Sequence, residues 1–172
     1  MNSIILLSGP LGAGKTEVAT ELVNVLDGPV ANIEGDKFWF FMAKGARELG
    51  RKRNFKTVMT AMTAASVPYA VAGYRVILDF SIPPWFLDTA RRVAKVRDVP
   101  LDFVVVRPSE EVCAERAAMR NEGKITDYEP YHELYSSFDE AERYIIHDDK
   151  SDAAAIAKVI RKGLDEGRFR LD

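Results

Sequence analysis

Gly9-Pro10-Leu11-Gly12-Ala13-Gly14 runs directly into Lys15 and Thr16, a combination suited to gripping a polyphosphate. Glycine admits positive φ and lets backbone N–H groups approach an anion with no Cβ in the way. A helix that starts at such a loop adds the positive end of its dipole. Lys15 then has the reach to meet terminal phosphates, and the Thr16 hydroxyl is a hard oxygen ligand for Mg2+. The pattern carries weight only between a strand and a helix. That context is present: residues 3–8 are a β-branched and leucine run, and Val18, Ala19, Leu22, Val23 and Leu26 recur on one helix face.

Other residues could act on what the loop holds. Asp79 ends the apolar run Val76-Ile77-Leu78, where a carboxylate can support a metal ion beside the loop, or simply sit in a surface turn. Asp36, in Glu34-Gly35-Asp36, can face a ligand or cap the short helix that follows. Arg116 and Arg120 are four apart and share a helix face, which is either a nucleotide contact or a solvated charged face paired with Glu115 or Glu122. Arg51-Lys52-Arg53 reads equally as an anion site and as a solvated run. Phe38, Trp39, Phe40 and Phe41 cannot all enter a core from one short helix, so one or two of them, with Trp85, are expected to wall a pocket. His132 and His147 stand apart from other metal-ligand types and read as structural or exposed.

The elements that must position these groups alternate along the chain. Strands are expected at 3–8, 30–34, 74–80, 101–106 and 144–146, all too apolar to face water on either side. Helices fill the intervals, one of them aromatic-rich over 36–43. Pro68 should kink or interrupt the helix that contains Phe55, Val58, Met59 and Met62, and Pro83-Pro84 should open the next. Ser109 with Glu110 and Glu111 reads as the capped start of a helix running to about Arg120. The expectation is an α/β fold in three layers: a five-stranded parallel sheet with helices on both faces. One domain spanning 1–172 is expected.

Composition narrows the partners. The chain of 172 residues has a net charge of -2, which offers no global attraction to nucleic acid or to an anionic membrane. Its single cysteine, Cys113, excludes an internal disulfide and reads as a small buried residue. No apolar stretch approaches the ~20 residues needed to cross a bilayer. A cytoplasmic protein, monomer or homodimer, is the expectation.

The order of these motifs resembles that of the small-molecule P-loop kinases, the family that includes shikimate kinase, gluconate kinase and chloramphenicol phosphotransferase. Nearly the whole length takes part: the glycine loop, Glu34-Gly35-Asp36, Val76-Ile77-Leu78-Asp79, and Arg107-Pro108-Ser109 through Arg116. The glycine loop is the specific motif, and the others add weight by their order. The resemblance implies ATP and Mg2+ as cofactors, a small hydroxylated acceptor, the strand order 2-3-1-4-5 and a small mobile lid at about 120–128. It implies that Gly9, Pro10, Leu11, Gly12, Ala13, Gly14, Lys15 and Thr16 bind the phosphates. Asp36 would be the general base, and Glu34 would lie near the metal through water, with Thr16 and Asp79 as the nearer metal residues. Arg116 would stack on adenine, while Arg120 or Lys124 swings onto the transferring phosphate.

Departures from neighbouring classes sharpen this. No Asn-Lys-x-Asp motif is present to read guanine, and Asp79-Phe80-Ser81-Ile82 lacks the glycine of a switch protein. The same stretch lacks the glycine pair of shikimate kinase, which argues against shikimate as acceptor. A nucleotide or polynucleotide 5′-hydroxyl kinase would need a wider basic groove than residues 51–53 supply. A non-catalytic ATP-binding regulator has little reason to keep Lys15, Thr16, Asp36 and Asp79 together.

Overall fold

The computed structural model describes residues 3–121 and 123–172. Five parallel strands form one sheet in the order β2-β3-β1-β4-β5. They are β1 Ile4–Ser8, β2 Val30–Glu34, β3 Arg75–Asp79, β4 Leu101–Val106 and β5 Ile145–Ile146. The helices are α1 Lys15–Val25, α2 Arg51–Val71, α3 Leu87–Lys95, α4 Glu110–Ala118, α5 His132–Ser137 and α6 Ala153–Asp165.

The central strand β1 divides the core by residue parity, because successive side chains leave a strand on opposite faces. Ile4 and Leu6 pack with Val58, Met59 and Met62 of α2 and with Phe86 and Phe103. Ile5 and Leu7 pack with Val18 and Leu22 of α1 and Ile156 and Ile160 of α6. Burial on both faces fixes the register, since a slip of one residue would exchange the two layers.

Several details differ from the sequence expectation. The edge strand β2 is only partly covered, with Asn32 and Glu34 exposed, because a strand at the end of the order has one neighbour instead of two. Pro68 does not interrupt α2. It removes only its own N–H bond, its carbonyl still accepts from the Ala72 N–H, and the helix continues to Val71. The aromatic stretch is a 3-10 helix, Gly35–Phe41, and α4 stops at Ala118, short of Arg120. Ser109 caps α4 as expected, accepting from the Val112 N–H.

A C-terminal contact was not foreseen. Phe103 N–H donates to the Phe169 carbonyl and Leu171 N–H to the Leu101 carbonyl, so the last residues run antiparallel along the start of β4. Phe169 is fully buried against Gly163, where any side chain would collide with its ring. Ser3 and Arg170 meet the buried Asp102 there; the Arg170 Nε lies 3.1 Å from its Oδ1, close enough for an ion pair.

Candidate active site

The glycine loop lies at the C-terminal end of the sheet, between β1 and α1. Its conformation answers to the protein as well as to any ligand. Gly9, at φ 144°, leaves no room for a side chain because a Cβ would run into the Val106 carbonyl of β4. Gly12, at φ 80°, is pressed in the same way against the Cys113 carbonyl of α4. The loop can therefore rest directly on β4 and α4. Cys113 is buried beneath it, and burial pushes its thiol up to about 11, which keeps it inert.

Register brings the first polar pair together. Leu7 of β1 pairs with Asp79 of β3, so Asp79 ends its strand beside the start of α1. The Thr16 Oγ1 donates to Asp79 Oδ2 at 2.7 Å. Burial raises the Asp79 carboxyl above the ordinary aspartate range, opposed by the Lys15 charge and the Thr16 hydrogen bond. The Lys15 ammonium is buried and donates to the Pro10 carbonyl at 2.8 Å. Burial lowers its pKa; Asp79 and Asp36 oppose that shift, and Arg120 reinforces it.

These side chains share one cavity of 770 Å³, a size suited to a small-molecule ligand. Lys15, Thr16, Asp36, Asp79 and Arg120 line it, together with Trp39, Phe55, Phe80 and Trp85. Asp36 is exposed and sits inside the 3-10 helix as its second residue, and it makes no capping hydrogen bond. The capping alternative is thus not realised. Gly35 allows this placement: a Cβ there would lie 2.7 Å from Met62 Sδ and 2.8 Å from Phe80.

Not every candidate joins the cavity. Glu34 pairs with Lys37 at 2.9 Å and is not part of its lining. Arg116 lies beside the loop, one guanidinium nitrogen 3.8 Å from where a Cβ on Gly14 would stand. Arg120 falls past the end of α4 and faces the cavity, whereas Lys124 does not line it. The two arginines therefore do not act as one helix face. Arg51 and Lys52 line the cavity and Arg53 does not, which divides the basic run. Of the four consecutive aromatics, Trp39 lines it, while Phe40 and Phe41 are 85% and 77% exposed.

Some contributors were not singled out from sequence. The Tyr128 hydroxyl donates to the Leu11 carbonyl at 2.8 Å, pinning the end of segment 120–128 onto the glycine loop. Tyr131 and Leu134 line the cavity beside Glu133. Nothing in the local sequence distinguishes them from core residues. Arg107 is buried, pairs with Asp139 and lies 4.3 Å from the centre of the Tyr135 ring. With Ser109 and residues 147–151 it borders a second hollow of 510 Å³ beyond β5. No group of three or more His, Cys, Asp or Glu able to hold a metal ion occurs among the described residues. Among them, too, no helix is long and apolar enough to cross a membrane.

Solved structures share this architecture. An unliganded sugar kinase from a Janibacter species is 15% identical, with a TM-score of 0.72 over 96% of this chain and 95% of its own. The tunicamycin resistance protein of Deinococcus radiodurans is 16% identical, with a TM-score of 0.71 over 100% and 99%. An APS kinase of Mycobacterium tuberculosis, in complex with AMPPNP and APS, is 16% identical, with a TM-score of 0.68 over 95% and 98%. At such identities the likeness speaks for the fold alone. No curated protein matches the chain in sequence. The family model of chloramphenicol phosphotransferase-like proteins matches residues 2–161, nearly the whole length, and the chain belongs to that family.

Proposed function

We propose that the protein transfers the γ-phosphoryl group of ATP to a hydroxyl of a small molecule. The observation that carries this reading is the convergence of Lys15, Asp36, Asp79 and Arg120 on one cavity that also has an aromatic wall. A phosphate-binding loop alone would serve many activities. A carboxylate and an arginine facing the same space as its lysine favour transfer to a second molecule held there.

In this reading residues 9–16 hold the phosphates of ATP and Lys15 offsets their charge. Asp36 orients the acceptor hydroxyl and takes its proton as the oxygen bonds to the γ-phosphorus. The bond to the β–γ bridging oxygen breaks, and ADP leaves with that electron pair. Arg120 offers a planar fork of donors to the transferring group, and Arg116, beside the loop, offers a flat face to the base. The donors fit Mg2+: the Thr16 hydroxyl and the Asp79 carboxylate are adjacent hard oxygens. Bound with ATP, Mg2+ would neutralise phosphate charge at that point. Residues 120–128, held by Tyr128 at one end, would act as the lid that excludes water.

The test is ADP release from ATP and Mg2+ against a panel of hydroxylated metabolites and antibiotics, with Asp36→Asn beside the parent. Stimulation by one compound, reduced by about 10²–10⁴-fold in the variant while ATP still binds, is the expected result. Equal stimulation in both proteins would remove Asp36 from the chemistry. Failure to bind ATP would end the reading.

A further inference from the structure

Ser8 is the polar end of an otherwise apolar strand. β1 reads Ile4-Ile5-Leu6-Leu7-Ser8, and all five side chains are fully buried. A hydroxyl in such a place costs stability unless it is bonded. Ser8 bonds twice to one residue 74 positions away. Its Oγ donates to the Ile82 carbonyl at 2.7 Å and accepts from the Ile82 N–H at 2.8 Å.

These bonds fall where the chain can do little for itself. Residues 81–83, after β3, belong to no helix or strand, and Pro83 and Pro84 have no N–H to give. Yet this stretch forms part of the cavity: Phe80, Ser81, Pro83 and Trp85 line it. Ile82 is fully buried and packs into the core on the α2 side of the sheet. Ile82 is thus the anchor, and its neighbours are the wall. The residue that holds the anchor immediately precedes Gly9, so the wall and the phosphate-binding loop start from one point. Pairing with Val105 of β4 keeps Ser8 itself in place.

We infer that Ser8 is a positioning residue for the acceptor. Through Ile82 its hydroxyl holds Ser81, Pro83 and Trp85 in the cavity wall, at a fixed place relative to the glycine loop. This rests on reading the cavity as the place where ATP meets a small hydroxylated molecule.

The first test needs no variant. The Ile82 amide should exchange with solvent deuterium at least about 10²-fold more slowly than an unstructured amide. Free exchange, read by NMR, would overturn the proposal. With Trp39→Phe as background, Trp85 is the sole tryptophan. Trp85 is 51% exposed, so Ser8→Ala should raise its acrylamide quenching by up to about twofold. The affinity for ADP with Mg2+, read by calorimetry, should stay within about threefold. Unchanged quenching in the folded variant would overturn the proposal. For an acceptor that stimulates ADP release, Ser8→Ala should raise the acceptor KM about tenfold and leave the ATP KM within about twofold. Equal rises would make Ser8 a support of the glycine loop and overturn its role at the wall. Slow Ile82 exchange and a freed Trp85, with no compound stimulating ADP release, would leave Ser8's hold on the wall standing and remove the phosphotransfer reading.

Discussion

Thr16 and Asp79 are joined by a 2.7 Å hydrogen bond from the hydroxyl to the carboxylate, although 63 positions separate them. The bond links the first turn of α1 to the last residue of β3, and it exists because β1 and β3 end side by side. Asp79→Asn keeps the shape but removes the charge beside Thr16. Phosphotransfer should fall by about 10- to 100-fold, with more Mg2+ needed for half-maximal rate, as when a residue supporting a metal ligand is changed. Steady-state ADP release across a Mg2+ titration checks both effects.

The same carboxyl sets a pH dependence. Burial raises its pKa above the ordinary aspartate range, so the folded chain holds that proton more tightly than the unfolded chain. Its contribution to stability is complete below the unfolded value and is lost as pH rises through the raised one. Asp27 behaves oppositely, because the hydrogen bond and charge of Arg161 lower its pKa. That contribution is present above the unfolded value and is lost as pH falls through the lowered one. Between about pH 4 and about pH 7, thermal unfolding of the nucleotide-free protein should move in favour of Asp79→Asn relative to the parent as pH rises. The parent's advantage over Asp27→Asn should shrink as pH falls.

Arg120 lines the cavity that Lys15 lines, and its charge acts on Lys15. Arg120→Ala should lower kcat by about 10²-fold with little change in ADP affinity, the behaviour of a donor used mainly in the transition state. An equal loss in ADP affinity, read by calorimetry, would instead make Arg120 a nucleotide anchor.

Gly12 and Gly28 share a left-handed φ, 80° and 79°, and differ in their surroundings. A Cβ on Gly12 meets the Cys113 carbonyl, whereas one on Gly28 meets nothing within 4 Å. Gly28→Ala should cost about 1–2 kcal/mol, the left-handed strain alone. Gly12→Ala should cost more than about 2 kcal/mol, because overpacking adds to the same strain, and it should weaken ADP binding as well. Denaturant unfolding of the two variants, with calorimetry, measures the contrast.

Tyr128 tests the tie between the proposed lid and the glycine loop. Tyr128→Phe removes one hydrogen bond to the Leu11 carbonyl, a loss of about 1 kcal/mol. ATP affinity should fall about fivefold if that tie helps to hold the closed site. Unchanged affinity would show that the segment does not need it.

The sequence by itself determined the sheet, its helices and the glycine loop. Local chemistry decides these: short apolar runs bounded by turn residues read as strands, and glycines before Lys-Thr leave few conformations open. It also marked Asp36, Asp79 and Arg120 as candidates, and all three line the cavity. Tertiary structure alone decided which neighbours each would have. Arg51 and Lys52 face the cavity while Arg53 does not, because the helix turns them apart by 100° per residue. Trp39 enters and Phe40 stays in water for a similar reason. Tyr128 meets Leu11 across 117 positions, and Asp102 meets Arg170 across 68. Such contacts depend on where distant segments come to rest, and no short window of sequence contains both partners.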